Sequence, residues 1–437
     1  MGGAVEAFLG AAAQRFRAYV ERLAQTLGHA DRREPLRGYL TGLVLPGARK
    51  SVEPMAALLA PERVRQTHQS LHHLVADAPW DDGAILKAVR EYALAAIERR
   101  GSIEAWIVDD TGIPKKGHHS VGVARQYCGQ LGKQDNCQVA VTLSVANEQA
   151  SLPIAYRLYL PEPWATDRTR RRQTGVPEEV SFLTKPEIAL AQITEAVEQG
   201  LPGGVVLADA GYGNDSKFRQ GLEALGLEYV LGVQSTTSVW REGSMPLAAR
   251  RYRGHGRPPK LLRRDFTHQP LPVRELASRL SPAAYRTVRW REATAGRLSS
   301  RFAAVRVRSA HRDYWRAVPH GEQWLLIEWP KGHSEPAKYW LANLPAATPL
   351  KELVRIAKLR WRIERDFQEL KQELGLGHFE GRSWRGFHHH ATLCIAAYGF
   401  LVAERCAFSP GGRLRRKTIR APRHFRPRGA PVKAAAP

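Results

Sequence analysis

The chain has 437 residues, 43% hydrophobic and 8% aromatic, which is enough for one large domain or two to three ordinary ones. Lys and Arg total 66 against 42 Asp and Glu, a formal net charge of +24 with a pI near 10.3. This excess predicts a polyanionic partner, and nucleic acid is the usual one. Charge alone does not separate DNA from RNA, or binding from catalysis.

The cysteines and the apolar runs indicate a cytoplasmic, nucleoid-associated protein. Four cysteines occur, at positions 128, 137, 394 and 406, with neither CxxC pairs nor zinc spacing, so we predict reduced thiols. No apolar run approaches the roughly 20 residues of a membrane span. The N-terminus has no basic segment before an apolar core, so no secretory signal is expected.

Residues 1–98 are predicted to be all-helical. Apolar residues recur at helical spacing, as at Phe16, Tyr19, Val20 and Leu23. The region also carries cations at positions 49, 50, 63 and 65. Small helices with these cations suit a DNA-binding module, and a helical cap that packs on the next domain fits equally well.

From Ser102 the pattern changes to alternating strands and helices. Apolar, β-branched runs predict strands at residues 103–110, 137–146, 151–161, 205–209 and 228–233. Helices are predicted at residues 186–199 and 214–225. The predicted order is therefore β-β-β-α-β-α-β.

A long interruption follows, at about residues 236–345. It is rich in Arg and Trp and contains short β-like pieces such as "YRTVRWREA" and "QWLLIEWP". Its tryptophans could stack on bases, but packing in the core of the interruption is favoured. These tryptophans are Trp240, Trp290, Trp324, Trp329 and Trp340.

The segment "LRWRIERDFQELKQELG" is predicted to be an amphipathic helix over residues 359–375. Its apolar stripe consists of Leu359, Ile363, Phe367, Leu370 and Leu374. Arg360, Glu364 and Lys371 fall within about 40° of each other along one shoulder of that stripe, whereas Asp366 and the remaining acids point elsewhere. The shoulder is either a row of ion pairs or part of a site for phosphate and metal.

Two further acids follow buried strands and complete a candidate site. Asp109 and Asp110 come after "AWIV", and Asp209 comes after "VVLA". Two-metal phosphodiester cleavage needs carboxylates that converge from separate elements, and Mg²⁺ or Mn²⁺ prefers such hard oxygens. A structural alternative for Asp209 is that it simply begins a turn with Gly211 and Gly213.

These motifs resemble those of bacterial insertion-sequence transposases of the DDE type, from the branch with a Y-x2-R-x3-E-x6-K signature. That signature reads Ala357, Arg360, Glu364 and Lys371 here, so the tyrosine is absent. "VDDTG" resembles the D-x-T of the first acid, which favours Asp109 over Asp110, and "LADAGYG" resembles the motif of the second. The resemblance implies an α/β fold: an RNase H-like catalytic core with a β-rich insertion.

The resemblance also implies roles for individual residues. Asp109, Asp209 and Glu364 would be the catalytic ligands of two Mg²⁺ ions, which activate the attacking water or 3′-hydroxyl and stabilise the leaving oxygen. Arg360 and Lys371 would bind phosphates of the transposon end. Their structural alternative is an i,i+4 ion pair and a plain surface lysine. Without the tyrosine, the route of second-strand cleavage stays open.

The connection after the first acid, "IPKKGHHSVG", carries Lys115 and Lys116, which could reach DNA phosphate or belong to a solvated loop. Its adjacent histidines, like His388–His390, cannot all face one ion on a regular element, so a metal role for them is disfavoured. The last helix, "TLCIAAYGFLVAER", is apolar on almost every side and should be buried.

The expected protein is a DNA transposase that cleaves transposon ends and joins 3′-hydroxyls to target DNA, as a homodimer in the synaptic complex. Rival functions are a metal-dependent nuclease or domesticated transposase without integration, and a non-enzymatic nucleic-acid-binding protein. The predicted boundaries are a helical region at 1–98, core at 99–235, insertion at 236–345, core at 346–408, and a disordered basic tail at 409–437.

Overall fold

A computed structural model of the chain describes residues 2–293 and 296–408, so the predicted basic tail lies outside the described residues. Every long regular element before residue 99 is a helix. These are α1 (Gly2–Ala24), α2 (Arg33–Val44), α3 (Val52–Leu59), α4 (Val64–His72) and α5 (Asp82–Glu98).

Strands dominate from residue 105 to residue 342, and helices follow. The strands are β1 (Ala105–Pro114), β2 (Ala124–Cys128), β3 (Lys133–Ala146), β4 (Ser151–Leu158), β5 (Val205–Ala208), β6 (Tyr229–Val233), β7 (Ser238–Arg241), β8 (Leu271–Pro272), β9 (Arg286–Ala293), β10 (Gly296–Ser309), β11 (Glu322–Trp329) and β12 (Lys338–Ala342). The helices are α6 (Glu162–Thr166), α7 (Arg168–Thr174), α8 (Lys185–Glu198), α9 (Ala210–Gly213), α10 (Ser216–Ala224), α11 (Val273–Ser278), α12 (Leu350–Leu359), α13 (Trp361–Gln372) and α14 (Trp384–Phe408).

All the strands join one mixed sheet, so the architecture is α/β, as predicted. The order is β2-β3-β1-β5-β6-β12-β11-β10-β7-β8, with β4 also on β3 and β9 also on β10. β1, β5 and β6 run parallel, and every other pairing is antiparallel. The strands of the interruption therefore extend the same sheet through the β6–β12 pair.

The first strand runs further than its sequence predicted. β1 stays paired with β3 as far as Pro114, whereas its pairing with β5 ends at Ile107. Asp109 and Asp110 therefore lie inside a strand and not at its end, because β3 continues the hydrogen bonding on one side. β2 and the short helices α6 and α7 were not predicted either.

The last helix, α14, is buried in the middle of the molecule, which confirms the prediction from its apolar sequence. It is long and apolar enough to cross a membrane by length and composition, yet 72% of its most apolar window is buried inside the protein. It packs against α5, α2 and β4. Tyr19 on α1 donates a hydrogen bond of 2.8 Å to the Ala396 carbonyl. The four cysteines are buried free thiols, as predicted.

The three consecutive histidines of α14 are core residues with separate partners. His389 stacks on Trp80 at 3.6 Å between ring centroids, and His390 Nδ1 lies 2.8 Å from the Tyr39 hydroxyl. His388 Nε2 accepts a hydrogen bond from a backbone amide of β4. Burial lowers the pKa of His389 and of His390 to about 4. The rings are therefore neutral and make their hydrogen bonds within the core.

The tryptophans of the interruption pack in its core, as favoured from the sequence. Trp240 is buried and donates its indole N–H to Asp313 at 2.6 Å. Trp290, Trp324 and Trp340 are partly buried against the main core, and Trp329 against a second apolar cluster between the insertion strands and α11.

Candidate active site

Parallel pairing of β1 with β5 brings two of the predicted acids together. Ile107 pairs with Leu207, and Asp109 and Asp209 each follow two residues later. The same offset therefore places the two carboxylates side by side at the point where the strands separate. Asp209 lies close enough for its charge to raise the pKa of Asp109.

Asp109 is the most buried of the three predicted acids. Its side chain keeps 17% of its exposure. Burial is the largest cause that raises its pKa, to about 6; Arg360 opposes this shift, and Asp209 and Asp110 add to it. A carboxylate in this state gains from a positive charge placed next to it.

Arg360 supplies such a charge and joins two of the acids. Its Nη1 donates to Asp109 Oδ2 at 2.6 Å, and its Nη2 donates to Glu364 Oε1 at 3.2 Å. The helix predicted at 359–375 begins later than expected, because α12 stops at Leu359, Arg360 lies between the two helices, and α13 runs from Trp361 to Gln372. Asp109 is thus joined to a guanidinium 251 positions later in the chain.

Lys371 lies two helical turns after Glu364 on the same shoulder of α13 and contacts β1 as well. Its Nζ donates to the Gly112 carbonyl at 2.9 Å, and burial lowers its pKa. It is therefore a half-buried cation next to the first strand, rather than a plain surface lysine. Arg360 and Lys371 together fasten α13 to β1.

Asp110 belongs to a different pair. Successive side chains of a strand point to opposite faces, so Asp110 faces away from Asp109. Its Oδ2 lies 2.7 Å from Lys185 Nζ, at the start of α8. The geometry thus separates the two neighbours: Asp109 faces Arg360, and Asp110 faces α8.

Asp209 begins a tight turn, as the structural alternative proposed, and still leaves an oxygen outside it. Its Oδ1 accepts the Gly211 amide at 2.8 Å and caps α9. A Cβ on Gly213 would lie 2.0 Å from the Gly232 carbonyl oxygen, so only glycine lets α9 approach β6. Asp209 is exposed, and its Oδ2 has no hydrogen bond to another described residue.

The two lysines after the first acid differ in their surroundings. Lys115 is partly buried, its Nζ donates to the Phe379 carbonyl at 2.6 Å, and burial lowers its pKa to about 8. Lys116 is exposed. Lys115 therefore holds the segment before α14, and Lys116 points to solvent.

Asp366 points away from the charged shoulder, as the sequence analysis predicted, but its burial was not predicted. It is buried, and its Oδ1 accepts hydrogen bonds from Ser151 at 2.6 Å and from Tyr398 at 2.8 Å. Burial raises its pKa to about 6. Its position three residues after Ile363 and four before Leu370 is an apolar-face position, and that spacing could have identified it.

The donor set suits a hard divalent cation. Three carboxylates from β1, the β5–α9 turn and α13 are the ligands that Mg²⁺ prefers. Within residues 2–293 and 296–408, no three acidic, His or Cys side chains are close enough to hold one ion. Arg360 lies between Asp109 and Glu364 instead, so a cation already neutralises the carboxylates.

Comparison with known proteins places the chain in a family. A family model described as DDE superfamily endonuclease matches residues 22–297, more than half of the chain. The chain belongs to this family. In this DDE superfamily endonuclease, the match includes Asp109 and Asp209 and ends before Glu364. Enzymes of the family generally depend on divalent metal ions.

A named relative of this DDE superfamily endonuclease comes from Microchaete diplosiphon. It is described as "Probable transposase for insertion sequence element IS701" and is 35% identical over 172 residues. Those residues make up 39% of this chain and 42% of the relative, so the similarity covers less than half of either protein.

Proposed function

We propose that this DDE superfamily endonuclease is a DNA transposase that cleaves transposon ends and joins the 3′-hydroxyls to target DNA. The observation that carries the proposal is that Arg360 contacts both Asp109 and Glu364 and lies next to Asp209. A nuclease site assembled from three distant segments would explain why Asp109, Asp209 and Glu364 all lie around one arginine in a strongly basic chain. The name of the relative supports the transposase activity in particular.

The strand order supports an RNase H-like core. The path β4-β3-β1-β5-β6, with β3 antiparallel and β5 and β6 parallel to β1, puts the first acid on the central strand and the second beside it. The third acid lies on α13, and α13 packs on β1 and β4. The β-rich insertion enters between β6 and α12.

Asp109, Asp209 and Glu364 would hold two Mg²⁺ ions, with Mn²⁺ as a possible substitute. When bound, the metals supply Lewis-acid activation of the attacking hydroxyl and stabilisation of the leaving oxygen. Glu364 is 67% exposed, so its side chain has room to leave Arg360 and rotate toward the other two acids. The half-buried Asp109 keeps its position because β1 is paired on both sides up to Ile107.

Arg360 and Lys371 would bind phosphates of the DNA strand that is cut. The planar guanidinium of Arg360 matches two phosphate oxygens and is already directed at the carboxylates. The Lys371 ammonium lies beside β1, where it donates a hydrogen bond to the Gly112 carbonyl. Lys116, which is exposed, would add a contact to the DNA backbone. Lys115 would position the segment before α14 through the Phe379 carbonyl.

DNA is the proposed partner, and pairing of two transposon ends implies a homodimer. The helical residues 1–98 would bind the end sequence. A nuclease or domesticated transposase without integration is the second candidate, because Ala357 replaces the signature tyrosine and is buried on α12. No aromatic side chain is present at that position to contact an unpaired strand end.

Replacing Asp209 with Asn tests the enzymatic proposal. With Mg²⁺ and DNA that carries the element end, we expect nicking to fall by at least about a hundredfold, since a metal ligand is lost. Asp110→Asn is the matched control, because Asp110 pairs with Lys185 on the other face of β1. Unchanged nicking by Asp209→Asn would show that Asp209 is not a catalytic ligand, and no Mg²⁺-dependent nicking by the original protein would favour a non-enzymatic binding protein.

A strand-transfer assay with a 3′-hydroxyl donor separates the two enzymatic candidates. Joined products are expected from the transposase and not from the nuclease. Inverted repeats on both sides of the coding region would be an independent sign of transposition.

A further inference from the structure

A long loop of the insertion contains a stretch whose only charges are positive. It joins β7 to β8, and Gly243–Arg264 contains no Asp or Glu. Its outer part, which we name the basic loop, spans residues 248–261. The basic loop carries the cations Arg250, Arg251, Arg253, Arg257 and Lys260.

Backbone hydrogen bonds fix both ends of the basic loop. Leu247 and Arg263 exchange two bonds of 2.9 Å, which closes the loop at its base. The Leu262 amide also donates to the Arg316 carbonyl at 2.8 Å, across to the segment after β10. The base of the loop therefore has a defined position on the insertion.

A buried ion pair strengthens this attachment. Arg264 Nη2 lies 2.6 Å from Asp313 Oδ1, and the Asp313 side chain is fully buried. The other oxygen of Asp313 accepts the Trp240 indole N–H at 2.6 Å. Burying a carboxylate is costly unless it is paired, so this network is a specific anchor rather than a chance surface contact.

The five cations of the basic loop are exposed and face no acid. None of them forms an ion pair or side-chain hydrogen bond with any residue in 2–293 or 296–408. Two other cations of the insertion are paired, Arg279 with Glu275 at 2.5 Å and Arg308 with Glu322 at 3.1 Å. The five cations of the basic loop repel one another, and binding of an external anion would relieve that repulsion.

We propose that the basic loop is a second DNA-binding surface, which contacts the phosphate backbone of duplex DNA away from the cleavage site. The proposal rests on the proposed function, because it takes DNA as the substrate. β7 lies six strand positions from β1 in the sheet, roughly 29 Å at ~4.8 Å per strand. At ~3.4 Å per base pair, that span corresponds to roughly eight base pairs of flanking duplex.

The test measures the salt dependence of DNA binding. A variant with all five cations of the basic loop replaced by Gln is compared with the full-length protein, and the dissociation constant for a 30-base-pair duplex is titrated against salt. Each lost phosphate contact lowers the magnitude of the slope of log affinity against log salt by about 0.9, so loss of three to five contacts should lower it by about 2.7 to 4.5. An unchanged slope overturns the proposal.

The matched control removes paired cations from the same insertion. Arg279→Gln with Arg308→Gln should leave the slope within about one of the original. A control that lowers the slope as much as the loop variant would show a general charge effect and overturn the assignment to the basic loop. Preserved circular dichroism and thermal melting of both variants keep the comparison valid, since the five side chains are exposed.

Duplex length gives a second readout. The loop variant should lose affinity for the 30-base-pair duplex and not for a hairpin with five base pairs beside the cleavage position. Equal losses on both substrates would place the basic loop at the cleavage site, against the proposal. Tighter binding of RNA than of duplex DNA by the original protein would contradict it too. Loss of nicking in Asp209→Asn with normal DNA binding tests the active site separately.

Discussion

Arg360 is the residue whose contacts define the candidate site. It bridges Asp109 and Glu364, and the carboxylates around it raise its pKa against the opposing effect of burial. The same two acids are the proposed metal ligands. A bound metal ion and the guanidinium therefore compete for the same carboxylate charge.

We expect Arg360→Gln to raise the affinity of the DNA-free protein for Mg²⁺ about tenfold, or about 1.4 kcal/mol, because the competing cation is gone. DNA cleavage should fall in the same variant, since a phosphate contact is lost. Isothermal titration calorimetry measures the affinity. Arg365→Gln is the control, because Arg365 pairs with Glu369 at 3.0 Å on the outside of α13.

An Mg²⁺ affinity that does not change in Arg360→Gln would mean that the arginine does not compete with metal. If Asp109→Asn and Glu364→Gln also bound Mg²⁺ normally, the proposed ligands themselves would be wrong. The two results are therefore distinguishable.

Metal affinity should depend on pH through Asp109. Its pKa is raised to about 6, mainly by burial, so the carboxylate is ionised above pH 6 and protonated below it. Metal ligands must be deprotonated, so the affinity should fall as pH drops through 6, by up to tenfold for each pH unit. An ordinary aspartate would keep its affinity down to about pH 4.

Calorimetric titrations with Mn²⁺ between pH 5 and 8 measure this profile. Asp110→Asn should lower the midpoint only slightly, because burial and not the Asp110 charge is the main cause that raises the pKa of Asp109. A profile that is flat down to pH 5 would contradict the assignment of Asp109.

At the scale of elements, the turn after β5 depends on two glycines that face each other. Gly232 on β6 also lies close to the backbone of Asp209, where a Cβ would be 3.3 Å from the Asp209 Cα. The position of the second acid is therefore set by how closely α9 packs on β6. This explains the residues that follow the acid in "LADAGYG" in physical terms.

Gly213→Ala should displace the turn, because its new Cβ would lie 2.0 Å from a backbone oxygen that cannot rotate away. We expect the free energy of unfolding to fall by about 1 to 3 kcal/mol and Mg²⁺ affinity to fall with it. Urea denaturation and calorimetry measure the two effects. Gly203→Ala, with no atom within 4 Å of its Cβ, is the control, and equal losses in both variants would contradict the explanation.

The position of α13 also depends on contacts away from the shoulder that carries Glu364 and Lys371. Asp366 ties it to the start of β4 and to α14 through Ser151 and Tyr398. Glu364 lies two residues away on the exposed side. Helical spacing predicted the apolar stripe correctly, and all five of its residues are buried.

At the scale of the molecule, the helices before residue 99 and the last helix form one core. α14 packs against α5 and α2, and the buried Tyr39 and His390 join the two regions. A cut between them would expose the apolar surface of α14.

We expect a chain that begins at residue 99 to be insoluble or molten when expressed alone, because α14 loses its cover. A chain that ends at residue 408 removes only the predicted tail and should fold. Soluble yield and cooperative thermal melting measure the outcome. A cooperative transition in the chain that begins at residue 99 would show that the rest of the protein folds without residues 1–98, against this expectation.

The sequence by itself determined the elements with strong local periodicity and the three acids. The central strands, α8, α10 and the apolar stripe of α13 follow from residue spacing, because each element buries one recognisable face. The resemblance to DDE transposases follows from short motifs. Those motifs identify the candidate site residues without any knowledge of tertiary contacts.

Only the tertiary structure decided where those residues meet. The length of β1 depends on hydrogen bonds from β3, and the alignment of Asp109 with Asp209 depends on the register of two strands 100 residues apart. The ion pairs of Arg360, the burial of Asp366 and the anchor of the basic loop each join segments distant in the chain. Local spacing carries no information on such partners, because pairing is chosen by the energy of the whole fold.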